Sequence, residues 1–469
     1  MTPKRQLRFG VKLSVNYLNT AKLLLLIVVM PLPAAYAGWG EDALSREAGY
    51  ICDCSYTENA GNHDGIDKAS DAYGAINDIR LAGGGPNWVQ TTEAAVGAIG
   101  LMQAARRLHE SGQSTDRYDA VLSSFFQRWI VSKGQCRYPA AAGDDAGAFA
   151  DRSYYTATGK WERNGSSNSG STGAVICAMW KYAEYLRAMG RKPQAAAWLK
   201  VSYPIAAGGA GFIRRRFDPK YNLVHSTASL HNLWISDAVY SAAALRCLSV
   251  WSKQIGKPGA EYADMAHKIS SGIDAMRDKS GSFYKFRDNK QGYQATYGDS
   301  VDQLCFFPYQ AGLVKPDASA RRMSDWWTNG DGRIKMTPET SNASDWRYFG
   351  TRWHYYFDGR ASSNYLYPGP GLQLAVVEWK VGRALKDKTL TERAGHRFEW
   401  ANRKDRSALW FGVTGENEAG IPNGIVDWRD GGNYTHTAPH GDRFVDTSAY
   451  FIEAALMICW NEDTSYVPE

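Results

Sequence analysis

The sequence predicts an all-α protein, a closed barrel of two concentric helix layers, and three observations lead there. Long runs with a polar, aromatic or acidic head and a small-residue, apolar body return about every 60 to 80 residues, a spacing typical of a repeat-built domain. Each of these forward runs is followed by a shorter, more amphipathic return run. The links alternate between short turns and long polar loops. The forward runs are apolar on nearly every face, as helices enclosed by other helices must be.

The first 37 residues read as an address rather than as structure. Lys4, Arg5, Arg8, Lys12 and Lys22 form a basic n-region, residues 23–30 (LLLLIVVM) an apolar run, and Ala35-Tyr36-Ala37 a small-x-small cleavage site before Gly38. This is the pattern of a secretory signal. The apolar run is shorter than the roughly 20 residues a membrane span needs. Export to the medium or to a bacterial periplasm is therefore expected, with no stable membrane span after cleavage. The chain carries +6, and the leader holds five Lys/Arg and no acid, so residues 38–469 carry +1. With no basic tail or Arg-rich helix, the sequence does not call for a nucleic-acid partner. No Pro/Ser linker or composition break divides residues 38–469, which are expected to form a single domain.

The elements follow in order. Residues 43–50 and 67–79 suggest short helices in a polar, Gly-rich lead-in. Residues 88–109 form the first forward run and stop near Gly112, a C-cap signal. Residues 117–131 return, and a long polar loop follows. Residues 171–189 and 192–205 form the next pair; residues 211–225 read as a β-hairpin turning at Asp218-Pro219. Residues 229–254 and 260–276 are the third pair, and a second hairpin is expected over residues 281–297, turning at Asp288-Asn289. Residues 299–313 and 319–328, then 371–385 and 391–402, continue the alternation. Residues 446–460 are the sixth forward run; its return partner is expected from the segment before Trp88, which closes the ring.

At this point a resemblance can be named. Six forward helices, their returns and the string Leu233-Trp234-Ile235-Ser236-Asp237 resemble the six-hairpin, or (α/α)6-barrel, group of carbohydrate-active proteins. The Trp-x-x-Asp at an inner-helix start is similar to that of unsaturated-glucuronyl hydrolase-type members. The resemblance implies one barrel with short β-hairpins in its rim loops, a carbohydrate substrate, and a site on the rim where the long loops enter the inner helices.

Several acids fall on that rim. Glycoside hydrolysis needs two carboxyl groups flanking the scissile bond, one of them held protonated by its surroundings. Asp237, beside Trp234, is the first candidate. Asp302 is the second, with Asp299 three residues before it; helix capping is the alternative reading for both. Glu416, in the long polar loop of residues 415–446, is the third, its alternative being a solvated loop carboxylate. Trp88, His231, Trp234, Asp299 and Trp428 are candidate sugar contacts. Arg347, Arg352, His354 and Tyr355 lie in an aromatic stretch suited to an acidic sugar, since Arg holds a carboxylate bidentately. The same four suit β-elimination from a uronate, and an aromatic plug in the barrel floor is their structural alternative. The candidate functions are therefore an exported glycoside hydrolase, a polysaccharide lyase and a glycan-binding barrel without catalysis. No cofactor or metal is called for.

The cysteines number seven, so they cannot all pair within the chain. Cys177, Cys247 and Cys459 lie in apolar runs and should be inert thiols. Cys52, Cys54 and Cys136 lie in loop-like sequence and are the expected disulfide formers.

Overall fold

A computed structural model of the protein describes residues 34–57, 70–77, 87–155 except 135, 161–227, 232–284 except 279, 286–288, 300–301, 306–329, 355–356, 365–366, 368–402, 429–430 and 445–468. The architecture is an all-α toroid. Its helices are α1 (Ala34–Asp53), α2 (Thr91–Glu110), α3 (Asp116–Ser123), α4 (Ser169–Ala188), α5 (Lys192–Arg216), α6 (Ile235–Gln254), α7 (Ala260–Asp274), α8 (Phe307–Gln310), α9 (Ala318–Asn329), α10 (Pro368–Leu385), α11 (Lys388–Asn402) and α12 (Val445–Trp460). The even-numbered helices form the inner ring: α2 packs on α4, α4 on α6, α6 on α8, α8 on α10, α10 on α12, and α12 back on α2. The odd-numbered helices pack outside them. α1 lies against both α2 and α12, so the N-terminal segment supplies the missing return and closes the ring as expected.

Inner-helix composition follows from this enclosure. Every residue of α12 from Thr447 to Cys459 is buried, as are nearly all of α4 from Ser169 to Leu186. Small residues let the inner helices approach. A Cβ on Gly173 of α4 would stand 2.5 Å from the Tyr240 carbonyl carbon of α6, and one on Gly100 of α2 would stand 2.7 Å from the Ala449 Cβ of α12. Gly112, Gly190 and Gly256, with φ of +79°, +75° and +72°, follow α2, α4 and α6, where the left-handed conformation ends a helix without a Cβ penalty.

Several elements differ from the sequence reading. α5 runs eleven residues beyond the expected stop at residue 205, through an interior Pro204, and absorbs Gly211 to Arg216. The hairpin after it is correspondingly small: β4 (Phe217–Asp218) pairs β5 (Leu223–Val224). α3 continues as a π-helical stretch over Ser124–Lys133, burying Phe125, Phe126, Trp129 and Ile130. Residues 70–77 form turns rather than a helix. The loop between α3 and α4 supplies β2 (Phe149–Tyr155) and β3 (Trp161–Asn168), which join β1 (Asn87–Gln90), the strand ahead of α2, in a three-stranded antiparallel sheet. Of the hairpin expected within residues 281–297, residues 289–297 lie outside the described residues; β7 (Phe286–Asp288) makes a longer-range pairing with β6 (Asn232–Trp234). The fourth inner helix is one turn, α8; β8 (Ser300–Val301) pairs β9 (Tyr355–Tyr356) ahead of it, and β10 (Tyr365–Leu366) pairs β11 (Arg429–Asp430).

The disulfide expectation is also corrected. Cys52 and Cys136 are free thiols, and Cys54 is buried with them. Cys52 lies in α1 rather than in a loop, and burial pushes the Cys52 and Cys136 thiols up to about 12, which suppresses the reactive thiolate. No helix among the described residues is long and apolar enough to cross a membrane.

Two polar clusters tie helices together from within. Arg397 of α11 donates through Nε to Glu378 of α10 at 2.6 Å, and Ser324 of α9 donates to the same carboxylate at 2.6 Å. Deeper in the barrel, Gln310 of α8 donates to Glu453 of α12 at 2.6 Å and accepts from Gln373 of α10 at 3.0 Å. Burial pushes Glu453 up to about 7. The chain after α12 turns back beneath this cluster. Lys380 donates to Ser465 at 2.9 Å and pairs with Asp463 at 3.4 Å. Tyr466 then inserts into the barrel, 6.2 Å from Tyr240 and 5.9 Å from Phe307 between ring centroids, and is 2% exposed. This aromatic group closes the barrel below its rim. Truncating so large a side chain from a packed interior costs about 3 kcal/mol or more. Tyr466→Ala should therefore lower the urea midpoint of unfolding by that amount of stability, with a Tyr466→Phe control recovering most of it.

Candidate active site

The inner helices begin at a common rim, and strands lead into it. β1 runs directly into α2, β3 into α4 and β6 into α6. The sheet β1–β2–β3 therefore stands beside the first turns of α2 and α4. Asn168 caps α4 by accepting from the Ser171 amide at 2.8 Å. Ser171 Oγ and Thr92 Oγ1, 2.9 Å apart, share a hydrogen bond that ties α4 to α2 at this level.

Asp237 occupies the first turn of α6 and is 7% exposed. Its neighbours fix it closely. Ser226 Oγ donates to Oδ2, and Oδ1 lies against the Cα of Gly170, where a side chain of any size would collide with it. Ser226 is itself strapped to α4, since its carbonyl accepts from the Ser169 amide and the His225 carbonyl accepts from Ser169 Oγ, both at 2.9 Å. Burial pushes Asp237 up to about 7; the Ser226 hydrogen bond pulls it down and the charge of Asp151 pushes it further up.

Asp151, on β2, is the acid whose charge acts on Asp237. Burial raises its carboxyl above the usual range, opposed by the adjacent Arg152 and the nearby Ser171 hydroxyl. Arg152 Nε lies 3.6 Å from Asp151 Oδ2, and the Asp151 side chain keeps 35% exposure. Glu93 and Asp446 occupy the first turns of α2 and α12. Both add to the negative field on the buried phenols of Tyr240 and Tyr450, which burial already holds well above their ordinary range. The described rim is thus acidic above and phenolic below.

The expected site residues divide accordingly. Asp237 and Trp234 stand at the rim together, Trp234 half-buried at the junction of β6 and α6. Trp88 is in β1, paired with Tyr154 of β2, and Tyr355 is in β9, paired with Val301. Asp302, Glu416, His231, Asp299, Arg347, Arg352, His354 and Trp428 lie outside the described residues. Sequence reasoning did not single out Asp151, Ser226 or Gly170. The signal for Gly170 was present in Asn168-Ser169-Gly170-Ser171, a capping residue followed by a side-chain-free position in the first turn. Asp151 lies in a strand that was read as loop.

Solved structures share this architecture. D-mannose isomerase aligns with a TM-score of 0.57 at 13% identity, over 92% of this chain and 100% of its own. Cellobiose 2-epimerase from Bacillus thermoamylovorans aligns with a TM-score of 0.56 at 9% identity, over 88% of this chain and 98% of its own. The GH63 mannosylglycerate hydrolase from Thermus thermophilus, solved with glucose, aligns with a TM-score of 0.52 at 10% identity, over 90% of this chain and 100% of its own. No protein-family model and no curated protein matches the chain. The chain has the six-hairpin, glycosidase-like (α/α)6 fold; at such identities the likeness is one of fold.

The state of Asp237 has a measurable consequence for stability. Its reference carboxyl ionises near 3.8, the folded one near 7. Between those values the folded chain keeps a proton the unfolded chain has released. The contribution favours folding at low pH and is lost as pH rises towards 7. Relative to wild type, Asp237→Asn should gain stability between pH 4.5 and pH 7.5. Urea midpoints at the two pH values measure this, and an unchanged difference would refute the raised ionisation.

Proposed function

We propose that this protein is an exported glycoside hydrolase acting on a poly- or oligosaccharide, with Asp237 as its proton donor. The observation that carries the reading is Asp237 itself: a carboxyl at the rim of a six-hairpin toroid, dried by burial and ionising near 7. A general acid works best when its ionisation lies close to the working pH, because it then holds its proton and still gives it up readily. Donation to the glycosidic oxygen lets the sugar–oxygen bond break without expelling an alkoxide. Hydrolysis also needs a second carboxyl group to assist water or to attack the sugar; Asp302 and Glu416 are the sequence's nominations for it.

Trp234 supplies an aromatic face beside Asp237, and Trp88, Tyr355 and Trp428 are proposed to extend that surface. His231, Asp299, Arg347, Arg352 and His354 are proposed as polar sugar contacts. The sugar class is supported by the neighbours' own activities, on mannose, cellobiose and mannosylglycerate. Export rests on the leader; cleavage after Ala37 leaves residues 38–53 of α1 to pack on α2 and α12.

Product analysis tests the reading. Wild-type protein incubated with a panel of oligosaccharides should release new reducing ends without ultraviolet absorbance. Asp237→Asn should lower kcat by about 10² to 10⁴, the usual worth of a positioned general acid. Products absorbing as unsaturated uronates would establish a lyase instead. A rearranged sugar with no chain cleavage would establish an isomerase or epimerase, and glycan bound but unchanged a binding barrel; each outcome overturns the hydrolase.

A further inference from the structure

We propose that Asp151 is the second carboxyl group of this site, the base that activates water opposite the proton donor Asp237. The inference rests on the hydrolase reading and adds a residue that the sequence did not nominate.

Three structural facts converge on it. The first is position. β2 is the central strand of the rim sheet, whose flanking strands run into α2 and α4. Asp237 packs on Gly170 in the first turn of α4, and in the same turn Thr172 Oγ1 accepts from the amide of Phe149, the first residue of β2, at 3.0 Å. Asp237 and the strand that carries Asp151 therefore meet the same helix turn, and the charge of Asp151 acts on Asp237.

The second is local backbone. The β2–β3 ladder is regular from Arg152 to Tyr155 and again at Ala150, but shifts register between Ala150 and Arg152. Asp151 thus faces two residues of β3, Gly165 and Ser166, where the rest of the ladder faces one. A bulge of this kind re-aims a side chain and is commonly found beside active sites.

The third is asymmetry of environment. Asp237 is 7% exposed and accepts from Ser226. The Asp151 side chain is 35% exposed, with Arg152 Nε 3.6 Å from its Oδ2. Two carboxyls with different surroundings take different protonation states, the drier one keeping its proton and the one beside a cation losing it. Arg152 on β2 stands beside Asp151, and Glu93 and Asp446 occupy the first turns of two other inner helices, α2 and α12.

The chemistry then balances. Asp237 gives its proton to the glycosidic oxygen as the bond from that oxygen to the anomeric carbon breaks. Water forms a new bond to that carbon and gives a proton to Asp151. One water has been added across one bond, the two carboxyls have exchanged charge, and proton exchange with solvent resets them.

The test compares Asp151→Asn, Asp237→Asn and wild type on a glycan that wild type cleaves. Asp151→Asn should lower kcat at least about 100-fold, the lower end of what a positioned base contributes, with KM little changed. It should also move the alkaline limb of its residual pH profile to lower pH, because the negative neighbour of Asp237 is gone. Arg152→Gln, which keeps both carboxyls and removes the cation 3.6 Å from Asp151 Oδ2, should move the acid limb to higher pH; this variant carries the test should Asp151→Asn not fold. If Asp151→Asn keeps the kcat of wild type while Asp237→Asn loses it, or if Arg152→Gln leaves the acid limb in place, the Asp151 assignment falls and the hydrolase stands. If wild type cleaves no glycan, the hydrolase falls and takes the assignment with it.

Discussion

The close approach of the inner helices is the constraint on which the rest of this structure depends. Six helices in a ring leave a narrow axis, and Gly173 against Tyr240 and Gly100 against Ala449 set how narrow. A narrow axis has no room for a water column, so the polar groups that reach it must satisfy one another. Glu453, Gln310 and Gln373 hydrogen-bond one another across three inner helices, and Lys380 donates both to the Gln310 carbonyl and to Ser465 of the returning C-terminal segment. The same tightness dries Asp237. Its Oδ1 lies on Gly170 because nothing larger than a hydrogen occupies that position of α4. The chemical property of the rim, a carboxyl that ionises near neutrality, is thus a by-product of how closely two helices pack.

That dependence explains why the fold was legible and the site only partly so. Enclosed helices have to be apolar all round, so the forward runs announced themselves by composition, and Gly112, Gly190 and Gly256 marked their ends. The N-terminal helix was inferred correctly because a ring with one unpaired member must be completed from somewhere. Strands at the rim gave no comparable signal. β6 pairs with β7 some fifty residues away, and a three-residue strand paired at that distance leaves no local periodicity to read. The three-stranded sheet escapes for a related reason: Tyr154-Tyr155 and Trp161, good strand formers, sit in a polar stretch that reads as a long loop. α5 was cut short because Pro204 and the following glycines argued against a helix that tertiary packing nonetheless maintains.

Asp237 was identifiable because it follows an aromatic residue at the head of a buried run. What could not be read was its company. Ser226, Gly170 and Asp151 lie 11, 67 and 86 positions away in the chain, and only the ring brings them together. Asp302 and Asp299 are attractive because of their spacing, but both lie outside the described residues, where the helix begins at Phe307.

The placement of Tyr466 also bears on biosynthesis. α1 and α12, the first and last helices described, are neighbours, and Tyr466 fills the interior only after α12 has been made. Ring closure therefore waits for almost the whole chain to leave the ribosome. Hairpins can assemble pairwise before then, but the cooperative core cannot, and contacts of such high sequence separation form slowly. Until α12 and the segment carrying Tyr466 are made, the ring stays open between α1 and α10.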